Sequence, residues 1–336
     1  MQNCGPRPAA LAVDDMPTNL AAAKNLLRRC GFEAYAAASG PEAVEAVRKE
    51  EVRFGIILMD YFMPGMNGGE AARQIKNIGT DYAKNVPIIS VTADTDAHDE
   101  IFLRENGFCG YLTKPIQITQ LEAAVNKWAG PTAAANGHAE KNFACQKIYI
   151  SGLETQKGIE LFGGDADGYL SVLRSFALSS PPMLDKITAA DFYSPEYLTT
   201  VHGLAGTCRG VCANEAAEMA AALETAAKEK NFGYIKKNNA CFVEAAQKIL
   251  INIENFFSEA ETGQDKKLLE KPDEKILAAL LDACVRYDTE AADNAAAELG
   301  KYKYSSGGEL AAWLITNTAQ MNYNQIENKL NGFLNI

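Results

Sequence analysis

The chain has 336 residues, and 43 Asp and Glu against 32 Lys and Arg leave it a formal net charge of −11 at pH 7. At ~100–200 residues per domain this length predicts two or three domains, and 47% hydrophobic with 22% charged residues excludes wholesale disorder. The negative excess repels phosphate backbones and anionic headgroups, so neither nucleic acid nor a membrane is expected as a partner; a cation or a basic protein surface remains compatible with it.

Residues 1–129 alternate short apolar runs with amphipathic stretches, the pattern of a parallel sheet covered by helices. Strands are predicted at Ala9–Val13, Glu33–Ala36, Gly55–Met59, Pro87–Val91 and Gly110–Leu112. Helices are predicted near Thr18–Arg29, Pro41–Glu50, Gly68–Ile78, Asp96–Glu105 and Ile118–Trp128.

Residues 130–142, GPTAAANGHAEKN, have no periodicity and read as a flexible linker, whose 13 residues reach about 20 Å as a random coil. From 143 to 260 no strand alternation is found; apolar residues recur at helical spacing, as in Tyr169, Val172, Leu173 and Phe176. Ser194-Pro195-Glu196 offers a helix cap, and Pro181-Pro182 predicts a break. Residues 261–272 read as a second linker, and 273–336 as a helical extension with a KYKYSSGGE turn. Trp313, Tyr302, Tyr304 and Tyr323 are expected to pack its small core.

Eight cysteines are scattered without the close framework of small secreted domains, so they are predicted to be reduced and mostly buried. No apolar run approaches the ~20 residues needed to span a bilayer, and MQNCGPRPAALAVDD lacks the basic start and apolar core of a signal peptide. A cytoplasmic location is expected.

Polar residues concentrate where a parallel sheet binds ligands, just beyond the carboxyl ends of its strands. Asp14 and Asp15 follow the first predicted strand, Asp60 the third, Thr92 the fourth and Lys114 the fifth. Three clustered carboxylates repel one another unless a hard divalent cation such as Mg²⁺ neutralises them. With a lysine and a hydroxyl opposite, the set suits phosphoryl transfer onto a carboxylate oxygen.

LAVDD, IILMDYFMPGMNGGEAARQIK, IISVTAD and GYLTKPI resemble the defining segments of two-component response-regulator receiver domains. The resemblance covers about 1–129 and implies a flavodoxin-like α/β fold with a five-stranded parallel sheet. It further implies Asp60 as phosphoacceptor, Asp14 and Asp15 on the Mg²⁺ side, and the Phe62 backbone carbonyl as a metal ligand. Thr92 and Lys114 would contact the phosphoryl oxygens. Tyr111 falls where the family keeps a switch aromatic; equally, it reads as a strand aromatic packing on the fourth helix.

Of the three histidines, His98 and His138 lie in polar surroundings without metal-ligand neighbours. A helix through YLTTVHGLAGTCRGVCANEAAEMAAALETAAKE turns Val201, Leu204, Ala205 and Cys208 to one side and His202, Gly206 and Arg209 to the other, exposed side. A neutral imidazole there is a competent nucleophile forming a phosphoramidate, with room for another protein beside the glycine. Cys208 and Cys212, i and i+4, read as packed core thiols rather than a metal pair.

This stretch, with GIELFGGDADGYLSVLRSF before it and Ala221-Ala222-Leu223-Glu224 after it, resembles a histidine phosphotransfer (Hpt) domain, whose motif is His-x-Leu-Lys-Gly. The resemblance spans 143–260 and implies an all-α antiparallel bundle with His202 phosphorylated. The family's lysine is replaced by Ala205, and Arg209 is the candidate substitute for contacting phosphate. The extension 273–336 resembles helical segments that follow Hpt domains in multidomain sensor kinases. No ATP-binding segment or DNA-binding output is found. The expected function is therefore a phosphorelay in which Asp60 accepts a phosphoryl group from a phosphohistidine and His202 carries one to or from a receiver aspartate, with a histidine kinase and other receivers as partners. The alternative is a phosphorylation-switched scaffold with an inert His202; a metal-dependent phosphatase is less favoured for want of a cap domain.

Overall fold

The computed structural model describes residues 7–92, 100–129, 148–261, 267–286, 288–319 and 322–334. The expectations for His98, His138, Cys4, Cys145 and the 130–142 linker lie outside the described residues.

The first region runs β1 (Ala9–Val13), α1 (Pro17–Arg29), β2 (Glu33–Ala37), α2 (Gly40–Lys49), β3 (Phe54–Asp60), α3 (Gly68–Lys76), α4 (Asp81–Asn85), β4 (Ile88–Thr92), α5 (Glu100–Glu105), β5 (Gly110–Thr113) and α6 (Ile118–Trp128). All five strands are parallel, in the order β2-β1-β3-β4-β5. The period of two sorts the buried residues onto two faces. Ala10, Ala12, Ile56 and Leu58 pack under α1 and α6, whereas Leu11, Val13, Ile57 and Met59 pack with Val44 and Ile75 of α2 and α3.

The elements differ in detail from the expected ones. The short α4 was not anticipated, because five residues are too few for a periodic signal; the Thr80 side chain caps it by accepting from the Ala83 amide. β3 and β4 also run one residue further, so Asp60 and Thr92 end their strands instead of following them.

The second region is α7 (Thr155–Leu161), α8 (Ala166–Ala189), α9 (Pro195–Gly210), α10 (Asn214–Lys228) and α11 (Phe232–Glu261). Short connections make the successive long helices antiparallel neighbours, and α8 and α10 both pack against α11. Ser194 caps α9 through the Tyr197 amide at 3.2 Å. Pro181-Pro182, expected to break the chain, instead lie inside α8. Two backbone donors are lost there, but Phe176 before them and Leu184 and Ile187 after them are buried, so tertiary packing outweighs a local cost of ~3 kcal/mol per proline.

The C-terminal region contains α12 (Glu274–Val285), α13 (Thr289–Gly300), α14 (Gly308–Ala319) and α15 (Tyr323–Leu334). A parallel pair that was not anticipated, β6 (Lys267–Leu269) with β7 (Tyr302–Tyr304), lies within the segment expected as a linker over 261–272 and at the start of KYKYSSGGE. Three-residue strands are too short to show alternation. Leu277, Leu280, Leu299, Leu314, Ile326 and Tyr323 form the core, with Trp313 packed against it; Tyr302 and Tyr304 stay half-buried, their rings 6.4 Å apart.

The apolar layer beneath α1 and α6 continues without interruption into the second region: Leu20 and Leu27 of α1 belong to one buried cluster with Tyr169, Leu173 and Leu204. Helix α1 packs on α8 and touches α9, while α13 rests on the edge strand β2.

Candidate functional site

The sheet order reverses beside β1, whose neighbours are β2 and β3. In the β1–β3 register Val13 lies level with Met59, so the next positions bring Asp14 beside Asp60. Thr92 pairs with Thr113, and Lys114 follows. One carboxylate oxygen from each of Asp14, Asp15 and Asp60 lies within 4.8 Å of the others.

Asp14 and Asp60 are buried. Lys114 Nζ donates to Asp14 Oδ2 at 2.7 Å and lies 2.9 Å from Asp60 Oδ2. Asp14 Oδ1 also accepts from the Met16 amide at 2.8 Å and from Asn19 Nδ2 at 3.0 Å. Burial pushes the Asp60 carboxyl up against the opposing pull of Lys114, with Asp14 pushing the same way as burial. Burial, then Asp14, raise Asp15 to about 6. Desolvation works against the Lys114 ammonium, but its two carboxylates outweigh it and hold the group above its ordinary value. One ammonium facing three carboxylates leaves the cleft short of positive charge.

Local sequence shapes this cleft. Asn67 and Glu70 close a capping box at the start of α3, and the Gly68 amide donates to the Tyr61 carbonyl at 2.9 Å. A Cβ on Gly68 would collide with the Asp60 carbonyl oxygen, so only glycine lets the loop return this close to the acidic residue. Thr92 is buried at the end of β4, and its carbonyl accepts from the Lys114 amide at 2.8 Å. Tyr111 on β5 keeps its side chain substantially exposed, and Phe62 is exposed as well.

The structure corrects the expectation for the histidine helix. His202, Gly206 and Arg209 do share the side away from the bundle core, but they are half-buried there rather than exposed, with the His202 end of that side against the sheet region. The His202 ring meets Phe62 edge-on, centroids 5.4 Å apart at 66°. Gly203 lies against Met16, the residue after Asp15: a Cβ there would stand 3.0 Å from its sulfur. Gly206 and Gly210 line a cavity of about 40 Å³ together with Asp14 and Lys114. Arg209 is half-buried. Cys208 and Cys212 are buried free thiols, pushed up by burial to about 12 and about 11.

Glu224 shows in the sequence only as part of a motif, yet its carboxylate stands 2.9 Å from His202 Nδ1 and 2.7 Å from Lys228 Nζ. Burial pushes the Glu224 carboxyl up, but the hydrogen bonds from His202 and Lys228 prevail and hold it near 2. An ionised carboxylate only accepts, so Nδ1 carries the proton of this hydrogen bond and Nε2 is the nitrogen left free of it. The separation of the pair along the chain hid this role; a buried glutamate on an otherwise alanine-rich inner face was the available signal.

A family model for the response regulator receiver domain matches residues 10–126. Sensor protein GacS of Pseudomonas syringae pv. syringae is 36% identical over 163 residues, 48% of this chain and 18% of that protein. Sensor histidine kinase GacS of Pseudomonas protegens is 30% identical over 206 residues, 60% of this chain and 22% of that protein. This chain thus spans about a fifth of the length of either sensor protein. Protein PilH of Pseudomonas aeruginosa is 33% identical over 116 residues, 34% of this chain but 93% of that protein. Among solved structures, the receiver domain of sensor histidine kinase PA1611 from Pseudomonas aeruginosa PAO1, with a magnesium ion coordinated in its active-site cleft, matches with a TM-score of 0.33 at 29% identity, covering 37% of this chain and 98% of that one. No described helix is long and apolar enough to cross a membrane. Matched along nearly the whole of PilH, and by the family model over residues 10–126, the chain belongs to the response regulator receiver family of two-component signalling.

Proposed function

We propose that this chain is a phosphorelay protein joining a receiver domain, residues 1–129, to a histidine phosphotransfer bundle, residues 143–260, with 273–336 as a helical extension. Asp60 is the phosphoacceptor and His202 the phosphocarrier. The alignment to the Pseudomonas protegens sensor histidine kinase, 206 residues long, is too long to end within the sheet region and its following segment. A histidine kinase and other receivers are the proposed partners.

The residues fit a divalent cation, because three carboxylates oppose a single ammonium. Asp14, Asp15, Asp60 and the Phe62 carbonyl would hold Mg²⁺, which when bound neutralises the carboxylates and draws charge from a phosphoryl oxygen. A carboxylate oxygen of Asp60 attacks the phosphorus of a phosphohistidine, whose N–P bond breaks as its electron pair returns to the imidazole nitrogen. Lys114 spreads the charge on the transferring group, and the Thr92 hydroxyl donates to another of its oxygens.

One observation carries the carrier role: Glu224 fixes Nδ1 of His202 and leaves Nε2 as the nucleophile. The scaffold reading, with His202 inert, is favoured by Ala205, which stands at the family's lysine position and is fully buried.

Incubating wild-type, Asp60→Asn and His202→Gln proteins with a small acyl phosphate and Mg²⁺, then separating base-labile from acid-labile phosphate, distinguishes the readings. The relay requires acid-labile label that disappears in His202→Gln. Label confined to Asp60 leaves the scaffold.

A further inference from the structure

We infer that Asp60 and His202 of the same chain exchange the phosphoryl group directly, across an interface built by α1, α8 and α9. This rests on the relay reading and names its partner aspartate. Phe62, two residues beyond Asp60, meets the His202 ring at 5.4 Å. Met16, next to Asp15, fills the space that a side chain at Gly203 would need. Gly206, one turn past His202, shares a cavity with Asp14 and Lys114. The histidine helix is therefore seated over the acidic cleft, and the missing side chain at Gly203 makes the close approach to Met16 possible.

The interface is specific along its length. Thr18 and Ser179 hydroxyls hydrogen-bond at 3.0 Å in a buried setting. Asn25 donates to the Gly168 carbonyl at 3.3 Å, and Arg29 to the Gly163 carbonyl at 3.1 Å. The apolar layer is shared rather than abutted. Asp293 of α13 lies 3.1 Å from Lys24 and 3.5 Å from Arg28, so the C-terminal region grips α1 as well.

In the exchange the Asp60 Oδ–P bond breaks and its electron pair returns to the carboxylate, while the Nε2 lone pair forms the N–P bond. The Nδ1 proton stays in its hydrogen bond to Glu224. No proton leaves the pair and no other reactant is needed. An acyl phosphate and a phosphoramidate have comparable transfer potential, so the step runs either way.

The test uses full-length proteins, radiolabelled small acyl phosphate and Mg²⁺. Appearance of acid-labile label in the wild type should be first-order, with a rate constant unchanged over an about 100-fold range of protein concentration. An equimolar mixture of Asp60→Asn and His202→Gln chains, which can only transfer between molecules, should label His202 at least about 10-fold more slowly. A mixture as fast as wild type, or a rate rising in proportion to concentration, overturns intramolecular exchange while keeping the relay. Absence of acid-labile label in every sample overturns both.

Discussion

Glu224 Oε1 stands 2.9 Å from His202 Nδ1, and this contact decides which imidazole nitrogen is free. Replacing Glu224 by Ala should slow phosphorylation of His202 by roughly 10- to 100-fold, the range expected for losing a charge-assisted hydrogen bond of ~1.5–3 kcal/mol. ¹⁵N NMR should show the His202 proton on Nδ1 in the wild type and shared between both nitrogens in the variant. The same pair carries a pH signature. Because the Glu224 carboxyl is held near 2 in the folded state, below an ordinary value of 4.5, its contribution is complete above about pH 4.5 and is lost as pH falls through about 2. Urea unfolding of wild type and Glu224→Gln should differ by on the order of 2 kcal/mol at pH 6 and converge toward pH 2.

Lys24 is buried on α1 and faces the half-exposed carboxylate of Asp293. Asp293→Ala should destabilise the chain by ~1–2 kcal/mol, because an ammonium already out of water loses this carboxylate. In Lys24→Met, which removes the charge but keeps the volume, the added Asp293→Ala change should cost much less; denaturant unfolding of the four proteins gives the coupling.

Mg²⁺ should stabilise the fold by ~1.4 kcal/mol at ten times its dissociation constant, a rise in Tm that a chelator reverses. Asp15→Ala should abolish that rise without unfolding the protein, since Asp15 is only half-buried. Scanning calorimetry with and without Mg²⁺ checks both.

Arg209 lies on the His202 side of α9, and Ala205 is buried in the core. Arg209→Ala should slow transfer ~3- to 10-fold by removing a phosphate contact. Ala205→Lys should destabilise by ~2–4 kcal/mol, because the ammonium would have to enter an apolar cluster. Transfer rates and unfolding midpoints measure these separately; a stable, faster Ala205→Lys protein would show that the family's lysine does fit this helix.

The parallel sheet and its acidic cleft were legible because period-two apolar runs ended in polar residues: Asp14, Asp15, Asp60, Thr92 and Lys114 stand at consecutive strand ends, and the structure gathers them around one cleft. Helical periodicity likewise separated the His202 side of α9 from its core side. It carried no information on what covers that side, since packing of α1 on α8 and α9 joins segments far apart in sequence. For the same reason Glu224, 22 residues from His202, and Asp293, 269 residues from Lys24, escaped notice. Pro181-Pro182 misled in the opposite sense: a local breaking signal is overruled by the apolar residues that bury α8 on both sides of it.

Phosphate moves in the seated arrangement of α1 on α8 and α9. Cysteines at Thr18 and Ser179, whose hydroxyls are 3.0 Å apart, would lock it as a disulfide. The measurement is the single-turnover rate of transfer from Asp60 to His202 in the Thr18→Cys, Ser179→Cys protein, oxidised and reduced. Rates within about threefold of each other are expected. Transfer that stops on oxidation and returns on reduction would contradict it, because the chain would then have to open before Asp60 and His202 could react.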